Sequence, residues 1–173
     1  MKHLCIALLG VSLLAGCVSK PANVTPVTPF DSARYLGKWY EIARLDNRFE
    51  RGLEHITADY SMRPDGGIKV LNRGLDVAKK EWKQAEGKAY FVEGTDAAYL
   101  KVSFFGPFYA SYIVFDLDPA YQVSMVSGAD KSYLWILSRT PTIDAATRAR
   151  LVQKAKSLGF ETDKLITVDQ SAP

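Results

Sequence analysis

The chain has 173 residues, which suits one domain of ordinary size, and its 47% hydrophobic and 24% charged content is typical of a globular protein. The formal charge of +3 is too weak to point to nucleic acid, and acidic and basic residues are mixed with no long single-sign block. Aromatic residues make up 12%, nine of them Tyr, which favours β structure.

Residues 1–16 read as a signal peptide. Met1-Lys2-His3 is a short basic start, and Leu4 to Leu14 is an apolar run too short for a comfortable membrane span. Leu14-Ala15-Gly16-Cys17 looks like a bacterial lipobox, in which cleavage follows Gly16 and the thiol and new amine of Cys17 are acylated. The competing reading is a plain secretory signal with an incidental Cys. Several acyl chains on one residue anchor firmly. Val18, not Asp, follows Cys17, so the lipoprotein pattern implies the outer membrane, facing the periplasm. Cys5 would be discarded with the signal, leaving no disulfide, no Cys metal cluster and no thiol nucleophile. Nothing in the sequence calls for a cofactor or a metal.

Residues 17–30 read as the lipidated Cys followed by a tether containing Pro21, Pro26 and Pro29, without an apolar period. Only the end near Phe30 is expected to pack on the domain, which takes residues 31–173. Asp31 or Ser32 can cap one helical turn that Gly37 ends. A strand over 38–46 follows. Trp39, Ala43 and Leu45 share one parity, and Lys38, Arg44 and Asp46 share the other, one buried and one wet.

The second strand, 54–62, alternates most cleanly: Ile56, Ala58, Tyr60 and Met62 against His55, Thr57, Asp59 and Ser61. Pro64-Asp65-Gly66-Gly67 is a turn. Strands over 68–77 and 81–92 come next. In the latter Glu86 and Lys88 point outward, so Ala85, Gly87 and Ala89 point inward and leave room beside them. Strands over 98–105, 109–117, 122–127 and 132–139 complete a set of eight, with no inward face assignable to the seventh. Asp116 and Asp118 both read as turn chemistry. Then the period changes. Asp144 can cap a helix with a stripe of Leu151, Val152, Ala155 and Leu158 that Gly159 stops, and 165–168 is a short last strand. Eight short strands joined by hairpin turns, then one helix, predict an all-β, eight-stranded up-and-down antiparallel barrel with a C-terminal α-helix and a short final strand. A β-sandwich is the alternative from periodicity.

Three motifs then occur in order. Gly37-Lys38-Trp39 resembles the Gly-x-Trp of the lipocalins, and Leu117-Asp118-Pro119-Ala120-Tyr121 resembles their Thr-Asp-x-x-Tyr, with Leu117 in place of Thr. Arg139 stands where the family has an Arg at the end of the eighth strand. The stretches around Arg48-Phe49-Glu50-Arg51-Gly52 and Val102 to Tyr109 also resemble the bacterial outer-membrane branch. The resemblance implies that Arg139 packs across Trp39 at the closed end of the barrel, a cation–π contact.

It further implies a small hydrophobic ligand, in the bacterial branch a fatty acid or lysophospholipid, held for storage or transport in envelope maintenance. Parity places Ala43, Ile56, Ala58, Tyr60, Val70, Leu100, Val102, Tyr112, Val114, Tyr133 and Trp135 along the interior, where each either contacts ligand or simply packs the core. Arg48, Arg51 and Arg73 are either head-group contacts at the mouth or solvated charges. A lipid-modifying enzyme is the rival of another class. Against it, His55 is the one His after the signal and faces outward, and there is no nucleophile elbow or metal-ligand cluster. An envelope structural or assembly lipoprotein is the third reading. Phe105, Phe108 and Tyr109 then form an outward patch or a homodimer contact, or simply the hydrophobic rim of a barrel.

Overall fold

The computed structural model describes residues 18–171; the expected signal, residues 1–16, and Cys17 lie outside the described residues. Helix α1 (Ser32–Tyr35) leads into β1 (Gly37–Arg44). Then follow β2 (Leu53–Met62), β3 (Ile68–Asp76), β4 (Glu81–Phe91), β5 (Tyr99–Phe105), β6 (Phe108–Leu117), β7 (Val123–Ser127) and β8 (Leu134–Ser138). Helix α2 (Ala145–Ser157), a 3-10 turn (Thr162–Lys164) and β9 (Ile166–Thr167) complete the chain. Each strand from β1 to β8 pairs antiparallel with the next, and β8 pairs with β1, so the sheet closes into an eight-stranded barrel. Closure rules out the sandwich. β9 joins β1 from outside the ring, at Ala43 and Arg44.

Asp31 caps α1, accepting from the Ala33 and Arg34 amides, and Gly37 takes φ +88, which frees the chain to turn into β1. Because successive strands reverse direction, α1 sits at one end and the β1–β2, β3–β4, β5–β6 and β7–β8 connections share the other. We call the first the closed end and the second the mouth.

Two apolar layers hold the barrel. The inner one includes Trp39, Tyr60, Val70, Leu100 and Val114. The outer one lies between the wall and α2, where Leu151 and Ala155 meet Ile42, Ile113, Met125 and Ile136. Asp144 caps α2 by accepting from the Thr147 amide at 2.8 Å. Asp116 does not serve a turn. A bulge between Val114 and Asp116 sets it on the helix side, where it accepts from Lys154 at 2.6 Å and Arg150 at 3.2 Å. Asp118 does serve the turn, accepting from the Ala120, Gln122 and Val123 amides.

The stretch expected to be a free tether is packed on the barrel as far back as residue 18. Pro21, Val24, Pro26 and Phe30 are buried, and Val18 rests on the layer under α2. The Val27 amide donates to Val114 O and its carbonyl accepts from the Ala98 amide. Pro-rich composition fixed the extended shape, but it could not show that the apolar residues between the prolines find a groove.

Candidate functional site

The closed end is built by the three motifs together. The Arg139 guanidinium lies 4.0 Å from the Trp39 ring centroid. It donates to Lys38 O and Arg34 O, each at 2.8 Å, and to Tyr121 O at 3.3 Å. The Trp39 indole is fully buried and donates to Tyr35 O at 2.8 Å. Tyr121 accepts at its hydroxyl from the Asp31 amide, while the Arg34 guanidinium stacks on its ring at 4.0 Å. A Cβ at Gly37 would lie 3.5 Å from Arg139 Nη1, an ordinary contact, so it is the φ of +88 and not the space that calls for glycine here. α1, β1, the β6–β7 turn and β8 are thereby tied at one point.

Above this floor lies a cavity of about 20 Å³, room for about one water molecule. Tyr60, Val70, Leu100, Val102 and Tyr112 line it as parity predicts, joined by Phe30, Tyr35, Ile68 and Ala89. Val114 and Ala58 belong to the same apolar layer without reaching the cavity. Ile56 is buried beside Gly74, on the face of β3 that carries Val70. Tyr133 and Trp135 stack at 5.9 Å near the mouth.

Ala43 is not inside. The ladder between β1 and β8 shifts between Glu41 and Ala43, and this bulge sends Ala43 into the layer under α2. The room expected beside the small residues of β4 is also partly taken. The Phe104 ring presses on Gly87, where a Cβ would lie 2.8 Å from it. Ala85 is exposed, because β4 pairs with β5 only over Lys88–Phe91 and its first half has β3 as its ladder partner.

The bulge has a second effect: it turns Arg44, expected on the wet face, into the buried interior, where it meets Glu41, which shares the inward parity of Trp39. Arg44 donates to Glu41 at 3.1 Å, to Glu50 O at 2.9 Å and to Leu53 O at 3.3 Å. The Glu50 carboxylate accepts from Trp135 Nε1 at 2.9 Å and from the Asn47 side chain. Burial, with repulsion from Glu50, pushes the Glu41 carboxyl well above the usual range despite the pull of Arg44. Arg44 Nε and Asn72 Oδ1 make no hydrogen bond within the protein.

Deeper in, the Tyr112 hydroxyl bonds with Tyr35 at 2.9 Å and Tyr60 at 2.8 Å, and Tyr35 also meets Ser124 at 3.2 Å. Burial pushes the Tyr35 hydroxyl up to about 12 and those of Tyr60 and Tyr112 well above their ordinary value, so all three are neutral donors. The Arg51 and Arg73 candidates turn away from the interior. Arg51 pairs with Asp46 in solvent at 2.7 Å, and Arg73 stacks on Trp82 at 4.1 Å. Arg48 lies 4.8 Å from the Phe49 ring at the mouth. Parity alone could not reveal Arg44 or Glu50: the first depends on a bulge and the second on a loop folding back over the mouth, whereas Glu41 shares the parity of Trp39.

A family model described as a lipocalin-like domain matches residues 30–170. The chain belongs to the lipocalin family. Outer membrane lipoprotein Blc of Vibrio cholerae is 56% identical over 159 residues, covering 91% of this chain and 93% of that protein. The protein of the same name from Escherichia coli K12 is 52% identical over 160 residues, covering 91% and 90%. Temperature-induced lipocalin-1 of Arabidopsis thaliana is 38% identical over 148 residues, covering 80% and 78%. Among solved structures, insecticyanin of Manduca sexta superposes with a TM-score of 0.69 at 20% identity, covering 88% of this chain and 87% of that one. At that identity the likeness is one of fold. It shows the same lipocalin barrel carrying very different side chains.

Proposed function

We propose that this lipocalin is an outer-membrane lipoprotein, anchored on the periplasmic side through acylated Cys17. Its barrel takes up fatty acids or lysophospholipids for storage or transport in envelope maintenance. The observation that carries the ligand class is the division of the interior. The cavity near the floor is walled by Val70, Leu100 and Val102 with neutral tyrosine tips, while the mouth half holds Glu41, Arg44 and Glu50. An amphiphile fits that division, its acyl chain down and its polar head near Arg44 Nε and Asn72 Oδ1. The bacterial relatives are themselves named outer membrane lipoproteins, which supports the location.

Ile56, Tyr60, Val70, Leu100, Val102 and Tyr112 would meet the chain, and Tyr133 and Trp135 the upper part of the ligand. The test is native mass spectrometry of the full-length chain, delipidated and offered a panel of acyl lipids. The expected result is one acyl lipid per barrel, with a shared preference for single-chain species. Failure to load any lipid overturns the reading in favour of a structural or assembly role, and turnover of a lysophospholipid makes the protein an enzyme.

A further inference from the structure

β1 and β2 part half-way up the wall. They pair only from Gly37 and Tyr60 to Tyr40 and Thr57. Above that, β2 loses register with β3 between Glu54 and Thr57, and His55 takes a left-handed φ of +52. Beyond Glu41, β1 pairs with β8 on one edge. Its other edge, which faces β2 lower down, takes β9 at Ala43 and Arg44. The C-terminal strap, residues 166–171, thus runs in the gap between the two strands as an extra stave.

The strap is held on both sides. On the β1 side the Val168 amide donates to Ile42 O at 3.1 Å. On the β2 side the His55 amide donates to Asp169 O at 2.8 Å, and the Asp169 amide donates to the Glu54 carboxylate. Gln170 does both at once: its Nε2 donates to Glu41 O and to Ile56 O, each at 2.8 Å. Two carbonyl oxygens facing one amide fix its NH2 toward the wall, and both donors are used. Glu41 and Ile56 are where the ladder from Tyr40 and Thr57 would have continued, so Gln170 stands in for it. The Glu41 side chain meets Arg44 inside, and Ile56 is buried. Arg44 crosses the same gap from within, donating to Leu53 O at 3.3 Å. Beside the strap is an open cleft of about 520 Å³ lined by Ile42, Ile143, Arg148, Val168 and Gln170, so the strap can shift without displacing another element.

We propose that Gln170 is a positioning residue for the ligand site: by holding β1 and β2 to one width, it sets how bulky a head group the mouth half of the barrel admits. This rests on the amphiphile reading given above, with the head near Arg44 and Asn72 and the chain below. Within an unbroken ladder only side chains can give way, because backbone hydrogen bonds fix the strand spacing at about 4.7–4.9 Å. A gap bridged by one side-chain amide has no such limit. A wide head pushes Leu53–Ile56 outward against Gln170, and a slim one does not. Fatty acid carboxyls and lysophospholipid heads differ in this bulk while sharing the chain.

The test compares palmitate with 1-palmitoyl lysophosphatidylethanolamine, each displacing a fluorescent fatty acid from the full-length chain. Gln170→Met keeps the side-chain length and loses both donors. Its affinity for the lysophospholipid is expected to rise severalfold relative to palmitate. His55→Cys/Asp169→Cys acts in the opposite sense. The hydrogen bond between these two residues keeps their Cα atoms within reach of a disulfide. Oxidised, with the bridge located by peptide mass, this variant is expected to lose lysophospholipid affinity severalfold at little cost to palmitate, and to regain it on reduction. The oxidised and reduced forms share one sequence, so they decide the matter even where Gln170→Met folds poorly. A ratio of the two affinities unchanged by the bridge, or by Gln170→Met in a folded chain, overturns the inference and leaves Gln170 a structural clamp, whatever happens to the thermal midpoint. A native chain that binds neither lipid overturns the amphiphile reading, and this inference with it.

Discussion

Arg44 and Glu41 form an ion pair sealed inside the barrel, 3.1 Å apart, with side chains 3% and 4% exposed. Taking two charges out of water costs several kcal/mol each, and only close geometry with further hydrogen bonds offsets it. Arg44 has such bonds, to the backbone of Glu50 and Leu53, and so ties the β1–β2 connection down over the mouth. Removing one partner strands the other. Arg44→Met is expected to lower the unfolding free energy by about 3–5 kcal/mol in urea denaturation. Adding Glu41→Leu should recover most of that loss. A double variant as unstable as the single one would deny the coupling.

The same carboxylate sets a pH dependence. Burial first, and Glu50 second, raise the Glu41 carboxyl well above its ordinary 4.5, so the folded chain holds this proton more tightly than the unfolded chain does. The stabilisation from that proton is fully present below the unfolded value and is lost as pH rises towards the folded one. Glu41→Gln keeps the site neutral throughout. Relative to the native chain, its thermal midpoint should gain progressively as pH rises above about 4.5. Parallel midpoint profiles for the two proteins would remove Glu41 as the cause.

At the closed end, Trp39→Ala should destabilise by about 3–5 kcal/mol as a large-to-small core change. Arg139→Lys keeps the charge but loses the planar fork that reaches three carbonyls while stacking on the indole. A loss of about 1–2 kcal/mol is expected, close to the worth of one partly buried cation–π contact. Thermal unfolding checks both. Native stability in Trp39→Ala would contradict the closed-end assignment.

Asp116 offers a milder test. Its side chain is nearly buried, but Arg150 and Lys154 are about half exposed, so solvent weakens both pairs. Asp116→Ala should cost about 1 kcal/mol globally. Its larger effect should appear as faster amide exchange along α2 with the barrel strands unchanged, since α2 would still be held by Leu151 and Ala155. Equal acceleration in helix and strands would show that α2 does not move as a separate unit.

Alternation made the barrel legible. Ile56, Ala58 and Tyr60 against Thr57 and Asp59 give a face that holds along β2 as far as Tyr60, Met62 at the strand end being exposed, and the hairpin turns give the order. The floor was legible from Gly37, Trp39, Asp118, Tyr121 and Arg139 through the resemblance of their motifs to the lipocalins, not through periodicity. The mouth was not. A bulge adds one residue to one strand and reverses every parity beyond it, which is why Ala43 went outside and Arg44 inside. The arm from Ser19 to Phe30 escaped for a different reason: its burial depends on a groove supplied by β5 and β6, far away in the chain.

The cavity of about 20 Å³ is far smaller than any acyl chain. Tyr112, Phe104 or their neighbours must therefore turn aside before a chain can lie along the axis, and the measured affinity would be the intrinsic one scaled by the fraction of barrels that are open. Substitutions that leave every ligand contact intact but ease that opening, with Phe104→Ala over Gly87 the plainest case, would then tighten binding. The wall would be acting as a competing occupant of its own interior.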